Sequence, residues 1–199
     1  MAHPEARRDG ADPAVDRGAD HADHVVLVDD AGNRLRTWPR STVHTEATPL
    51  HLAFSCYVLD DAGRLLMTRR ALAKRTWPGV WTNSFCGHVR WEESAEEALH
   101  RHARGELGLD VADVELALPD FRYRAVDASG VVEHEICPVY VARVAGEVAP
   151  NPDEVAELAW APPDDVIAAV HAAPWAFSPW MVEQLRAFHA AGLDFKPGG

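Results

Sequence analysis

From residue 24 onward the chain alternates between short apolar runs with strand character and polar turn clusters. Residues 24–29 (HVVLVD) lead into DDAGN and a second, more polar strand. Asp, Gly and Asn between β-formers are turn chemistry, so the pair predicts a hairpin. The logic repeats at residues 52–59 (LAFSCYVL), the turn DDAG, and residues 64–68 (RLLMT). Two such hairpins predict a sheet early in the chain. Residues 77–81 (WPGVW) form a rigid aromatic loop, because Pro78 fixes φ and Gly79 relaxes the backbone beside it.

Helical signals begin at Ser94-Ala95-Glu96-Glu97, a capping box whose acidic first turn also complements the helix dipole. This helix should run to about Glu106 and stop at Gly108. Two strands follow, residues 121–126 (FRYRAV) and 131–142 (VVEHEICPVYVA), joined by DASG. Pro138 cannot donate to a ladder, so the longer one should carry an edge or a bulge there. Residues 154–160 predict another strand, and residues 164–171 and 179–190 two helices. Strands intermixed with helices, without regular βαβ alternation, define the class as α+β. Residues 1–22 lack apolar periodicity and predict a mobile tail ahead of a single domain over residues 23–199.

Composition narrows the function classes. A chain of 199 residues suits one domain with a substantial core. The three cysteines, Cys56, Cys86 and Cys137, form no CxxC pair, which argues against a disulfide scaffold and for a reducing, cytoplasmic compartment. No apolar run reaches the roughly 18 residues that span a bilayer, so a soluble protein without a membrane partner is expected. A formal charge of −12 argues against nucleic acid as a partner. The basic cluster RRALAKR at residues 69–75 reads either as a local pocket for an anionic small ligand or as a solvated loop.

Candidate chemistry gathers around a few positions. In Glu133-His134-Glu135, strand periodicity sends both carboxylates to one face and His134 to the other. Two like charges on one face repel unless a cation lies between them or one is protonated. The alternative is a solvated strand face. With His44, His51 and His88, these carboxylates would suit Zn²⁺, Mn²⁺ or a similar first-row ion, although any one of eleven histidines is more often ordinary surface. Cys86, in NSFCGHV, is a buried small residue, half of a metal site with His88, or a nucleophile or proton carrier.

Residues 87–109 carry a more specific pattern, G-x5-E-x7-R-x4-E-x-G, met by Gly87, Glu93, Arg101, Glu106 and Gly108. It resembles the Nudix box, whose helix places glutamates around a divalent cation bound to a diphosphate. The hydrolytic form, R-E-U-x-E-E, is incomplete here, because Arg101-His102-Ala103-Arg104-Gly105-Glu106 keeps one glutamate of three. Together with HLAFS (51–55), TRRALAKRTWPGVWTNSFCGH (68–88), PDFRYRA (119–125), EHEICPV (133–139) and PWAFSPW (174–180), the chain resembles the type 1 isopentenyl-diphosphate isomerases over residues 24–185.

That resemblance implies a Nudix-type α/β/α sandwich with a mixed central sheet. It also implies an isomerase of small prenyl diphosphates, acting as a monomer or weak homodimer. Cys86 and Glu135 would be proton carriers on opposite faces of the substrate, Trp180 would face the hydrocarbon, and Tyr123 would hydrogen-bond Glu135. His44, His51, His88, Glu133 and Glu135 would hold one Mn²⁺ or Zn²⁺. The diphosphate would sit on Arg70 and Lys74, assisted by Arg40, and on Mg²⁺ bound through Glu106 and the Cys86 backbone carbonyl. His102 stands where the resemblance to bacterial members of the family implies a second arginine, so either the pocket has one cation fewer or Arg101 or Arg104 compensates. Cys56 and Cys137 fall to the core and His134 to the surface, while Trp77, Trp81 and Trp175 would shape the apolar pocket or its lid. A Nudix hydrolase and an inactive metal-binding scaffold are the rival readings.

Overall fold

The computed structural model describes residues 23–195; the tail expected over residues 1–22 lies outside them. Its centre is β3 (His51–Leu59), whose seven C-terminal residues are all buried. Period-2 alternation divides that strand cleanly. Phe54, Cys56 and Val58 join a core with Leu99, Ala103 and Leu107 of α2 (Ala95–Leu107). Ala53, Tyr57 and Leu59 join the opposite core with α3 (Pro163–Ala172) and α4 (Pro179–Ala190). Helices thus cover both faces of a mixed sheet, the expected α+β architecture. A continuous apolar run such as LAFSCYVL is what burial on two faces demands.

Along one edge β3 pairs in parallel first with β9 (Val132–Ile136) and then with β10 (Val139–Ala145). The long strand expected over residues 131–142 is therefore two strands. Pro138 does more than bulge it: the chain leaves one ladder at Cys137 and enters the next, with the Pro138 carbonyl accepting from the Ser55 amide. β9 goes on to pair with β8 (Arg122–Val126), and β10 pairs with β7 (Asp110–Leu118). β7 was not anticipated, since Ala112, Asp113, Glu115 and Ala117 carry little strand propensity and only cross-strand pairing recruits them. The short helix α1 (Arg40–Val43), which follows the hairpin of β1 (His24–Val28) and β2 (Arg34–Pro39), was likewise unsignalled.

The second expected hairpin is only half formed. Its turn closes, with Asp60 accepting from Gly63, but β3 and β4 (Leu65–Arg70) pair only at Leu59 and Leu65 before they diverge. Residues 81–88 enter the gap. β5 (Trp81–Thr82) pairs with β4, and β6 (Phe85–His88) with β3. The crossing between them is held by buried polar groups: Ser84 accepts from the Val58 amide at 2.7 Å and donates to the Leu66 carbonyl at 2.7 Å, while Thr68 donates to the Asn83 carbonyl at 2.9 Å. β11 (Val155–Ala161) closes the outer edge against β4.

Helix α2 forms as its caps dictate. Ser94 and Glu97 complete the capping box, and Gly108 ends the helix at φ 63° with its N–H on the Ala103 and Arg104 carbonyls. A Cβ at Gly108 would meet the Ala149 carbonyl oxygen at 2.6 Å, whereas one at Gly105 would meet nothing within 4 Å. Helix α4 is pinned from below by a buried chain. Tyr57 donates to Gln184 Oε1 at 3.0 Å, Gln184 Nε2 donates to Ser55 Oγ at 2.8 Å, and Ser55 Oγ lies 3.4 Å from Cys137 Sγ. Gly108→Ala should destabilise the fold by about 1 kcal/mol or more, and Gly105→Ala should stabilise it by up to about 1 kcal/mol. Urea denaturation with an unchanged m-value checks both.

Candidate active site

Strand pairing delivers the candidate residues to one place. Across β3 and its neighbours, Ser55 opposes Cys86, Ala53 opposes His88, and His51 opposes Glu135. Across β8 and β9, Tyr123 opposes Glu135 and Ala125 opposes Glu133. With Phe85 turned into the α2 core, Cys86 packs against the α4 core, and His88 lines the same cavity as Cys86. That cavity, about 560 Å³, is lined by Arg40, His44, Arg70, Lys74, Cys86, His88, Glu106, Tyr123, Glu133, Glu135 and Trp180. Of the residues expected from sequence to act in catalysis, bind the diphosphate or hold metal, only His51 stays off its wall, 0% exposed behind it.

His44, His51, His88, Glu133 and Glu135 bring one donor atom each to within 4.8 Å of one another. His44 Nε2 is 2.9 Å from Glu133 Oε2, and both atoms are buried without a hydrogen bond. Glu135 Oε1 lies 3.3 Å from His88 Nε2 and 3.5 Å from His51 Nε2. The far side of His51 is fixed by a 2.9 Å contact from Nδ1 to the Pro49 carbonyl, which assigns the proton to Nδ1 and leaves the Nε2 lone pair facing the cluster. Thr76 steadies Glu133 through a 2.9 Å bond to Oε1. Two orphaned buried atoms and three imidazoles converging on two carboxylates fit a first-row divalent cation.

Electrostatics follow from the same crowding. Burial raises the Glu135 carboxyl, yet hydrogen bonds and charge from His51 and His88 hold it well below the carboxylate range. Burial lowers His51, but Glu135 and then Pro49 and Glu133 outweigh it and the net shift is upward. Burial prevails at His88, which is lowered. The Cys86 thiol is pushed up to about 12, chiefly by burial, with Arg70 opposing and Glu106 and Glu135 adding to the rise. Tyr123 is raised well above its ordinary value by burial, then by Glu135 and Glu133. Tyr123 and Glu135 face each other across the strands, but the expected hydrogen bond between them is not formed; the phenol ring instead lies 5.8 Å from Trp180.

The basic wall is braced by partners that the sequence did not mark. Arg70 donates to the Thr76 carbonyl from Nε at 3.2 Å and from Nη2 at 3.0 Å, and its guanidinium lies 5.3 Å from the Trp180 ring centroid. Lys74, lowered by burial, pairs with Glu154, and Arg40 pairs with Asp23. Trp180 donates from Nε1 to Asn83 Oδ1 at 3.1 Å, and Asn83 Nδ2 donates to the Cys56 and Phe85 carbonyls. Asn83 at least sits in the stretch singled out for Cys86; Asp23, Thr76 and Glu154 had no local signal. Both arginines that could compensate at His102 are engaged by other partners, although Arg101 lines the cavity. Arg101 is occupied by Glu93 and the His88 carbonyl, and Arg104 is exposed and paired with Asp110. Trp77 and Trp81 pack beside the α4 core, while Trp175 is 84% exposed and off the cavity wall. His134 is half-buried, on the face away from Glu133 and Glu135.

Comparison with known proteins agrees with this geometry. The NUDIX domain family matches residues 49–181, and the chain belongs to it. Within that class it belongs with the isopentenyl-diphosphate Delta-isomerases: it is 61% identical to the Agromyces mediolanus protein of that name over 84% of this chain and 82% of the relative. Against the Leifsonia xyli subsp. xyli protein of the same name it is 58% identical over 89% of this chain and 96% of the relative. Among solved structures, the DR0079 protein of Deinococcus radiodurans shares the fold at 20% identity with a TM-score of 0.65, over 83% of this chain and 98% of that one. The MutT protein of Methanosarcina mazei does so at 17% identity with a TM-score of 0.56, over 73% of this chain and 97% of that one.

Chelator-stripped protein should show a stability maximum traceable to this cluster. Glu135, depressed from 4.5, contributes stability above that value and loses it as pH falls toward its folded value. His51, raised from 6.5, contributes below that value and loses it as pH rises through its folded value. The pair should therefore support the fold best between those limits, and thermal melts of Glu135→Gln should lose that maximum.

Proposed function

We propose that the protein interconverts isopentenyl diphosphate and dimethylallyl diphosphate, moving a double bond by addition and removal of a proton. The observation that carries this reading is the convergence of Cys86, Glu135 and Trp180 on one cavity whose basic wall holds Arg70 and Lys74. An unactivated alkene is a very weak base, and protonating it yields a tertiary carbocation. The site must therefore supply a proton on one face of the carbon skeleton, remove one from the other, and tolerate the cation between.

Cys86 suits one end of that transfer. With its pKa pushed up to about 12 it keeps its proton at neutral pH, so it is a thiol facing the substrate rather than a thiolate nucleophile. Glu135 serves the other face, and Tyr123 beside it remains a neutral phenol. The Trp180 ring offers a π face to the cation, with no reactive lone pair. Its N–H is tied to Asn83, so the ring is held in one orientation. Arg70 and Lys74 bind the diphosphate, with Arg40 assisting at the mouth after exchange from Asp23.

His44, His51, His88, Glu133 and Glu135 would hold Mn²⁺ or Zn²⁺, and Glu106 with the Cys86 carbonyl would hold Mg²⁺ on the diphosphate. When bound, these ions supply positive charge that offsets Glu133, Glu135 and the phosphates. A hydrolytic reading is disfavoured by the degenerate box, in which only Glu106 remains to position a water. No helix among the described residues is long and apolar enough to cross a membrane, which is compatible with a small-molecule enzyme of the cytoplasm.

Purified protein with Mg²⁺ should convert isopentenyl to dimethylallyl diphosphate in deuterated water, with deuterium entering the carbon skeleton and no phosphate released. Phosphate release without deuterium uptake would replace the isomerase reading with the hydrolase. Cys86→Ser and Glu135→Gln should each lower kcat by about 10² to 10⁴. Cys86→Ser should keep its full complement of bound transition metal by elemental analysis.

A further inference from the structure

His102 is the box residue that the proposed reaction leaves without a task, and its surroundings define one. Its Nδ1 lies 2.6 Å from Glu106 Oε1, one helical turn further along α2. Its ring packs on the backbone of Gly87: a Cβ built there would fall 2.4 Å from Cε1, 2.4 Å from Nε2 and 2.5 Å from Nδ1. The edge of Phe54 closes another side, with ring centroids 5.4 Å apart. His102 Nε2 is 3.4 Å from the His88 carbonyl, a weak contact at most. One imidazole therefore touches both the strand that carries Cys86 and His88 and the carboxylate of Glu106.

We propose that His102 is a positioning residue for the diphosphate-bound divalent cation, acting through Glu106 and not by touching phosphate. The inference rests on the reading of Glu106 as the residue that carries that cation. An Nδ1–H donated to Oε1 removes one oxygen of Glu106 from competition and fixes the rotation of the carboxylate, so that Oε2 is presented in one direction. Hydrogen bonds of this kind behind a metal-bound carboxylate typically change affinity by about 10- to 100-fold. The ring also acts as a spacer. Pressed on Gly87, it sets how closely α2, and with it Glu106, approaches the β6 backbone that includes the Cys86 carbonyl. An arginine at this position would add a cation but would not place an imidazole against Gly87 with its Nδ1 on Glu106.

The test is calorimetric titration of Mg²⁺ into the protein, with its tightly bound metal retained, at fixed inorganic pyrophosphate. His102→Ala should raise the Mg²⁺ midpoint at least about tenfold, and His102→Gln, which keeps an N–H donor near Glu106, should recover much of that loss. Binding of pyrophosphate without Mg²⁺ should be unchanged in both. If His102→Ala weakens pyrophosphate equally with and without Mg²⁺, or if His102→Arg tightens it without Mg²⁺ while His102→Ala leaves the Mg²⁺ midpoint alone, His102 is a direct phosphate ligand and the proposal is wrong. Glu106→Gln is the control for the parent reading. A midpoint that Glu106→Gln does not shift removes that reading and this inference together, while a shift with Glu106→Gln but none with His102→Ala removes only the inference. For the spacer role, Gly87→Ala should lower the melting temperature and Gly87→Ala with His102→Ala should restore it, the Mg²⁺ midpoint staying high. Failure of the double variant to recover stability would refute the packing argument.

Discussion

The gap between β3 and β4 is the constraint on which the rest of the molecule depends. Two strands joined by a tight turn would ordinarily zip together, and here they part because residues 82–84 supply hydrogen bonds to both. Were the hairpin closed, β6 would have no edge of β3 to pair with, and Cys86 and His88 would lose their register against Ser55 and Ala53. The groups holding the gap open are small, buried and fully engaged. Such networks are costly when half satisfied and rigid when complete. The register of Cys86 and His88 in the cavity originates in a backbone defect stabilised by Asn, Ser and Thr.

A second tension lies in the buried cluster of His44, His51, His88, Glu133 and Glu135. Desolvating two carboxylates is expensive, and pairing with imidazoles recovers only part of that cost. His44 Nε2 and Glu133 Oε2, 2.9 Å apart but without a hydrogen bond, show where the recovery is incomplete. A cation at that point reconciles the geometry with the energetics. Metal affinity and proton affinity therefore compete for the same lone pairs.

Much of the fold was legible because its signals are local. The capping box at Ser94, the stop at Gly108, the first hairpin and helix α4 all follow from residues within a few positions of each other. Failures came where long-range pairing decides. β7 owes its existence to β10, and the break at Pro138 depends on which neighbour β3 offers at each point along its length. The site behaved likewise. Cys86, Glu135 and Trp180 come together from distant stretches, and periodicity could give only the face of Glu133 and Glu135; the family resemblance supplied the remainder. Asp23, Thr76 and Glu154, which restrain the polar residues of the cavity, are ordinary surface types in sequence and acquire a role only through tertiary contact.

Gln184 belongs with the residues that shape the cavity although it is not on the cavity wall. It lies one turn after Trp180 on α4, with its amide held between Tyr57 and Ser55 on β3. An apolar contact tolerates sliding, because one methyl group packs nearly as well as the next; a buried amide with a donor and an acceptor to satisfy does not. Single polar residues serve this purpose in coiled coils, where they trade stability for alignment. Here the amide would index the helix against the sheet, so that the distance from the indole to the thiol is gauged one helical turn away from where it is used.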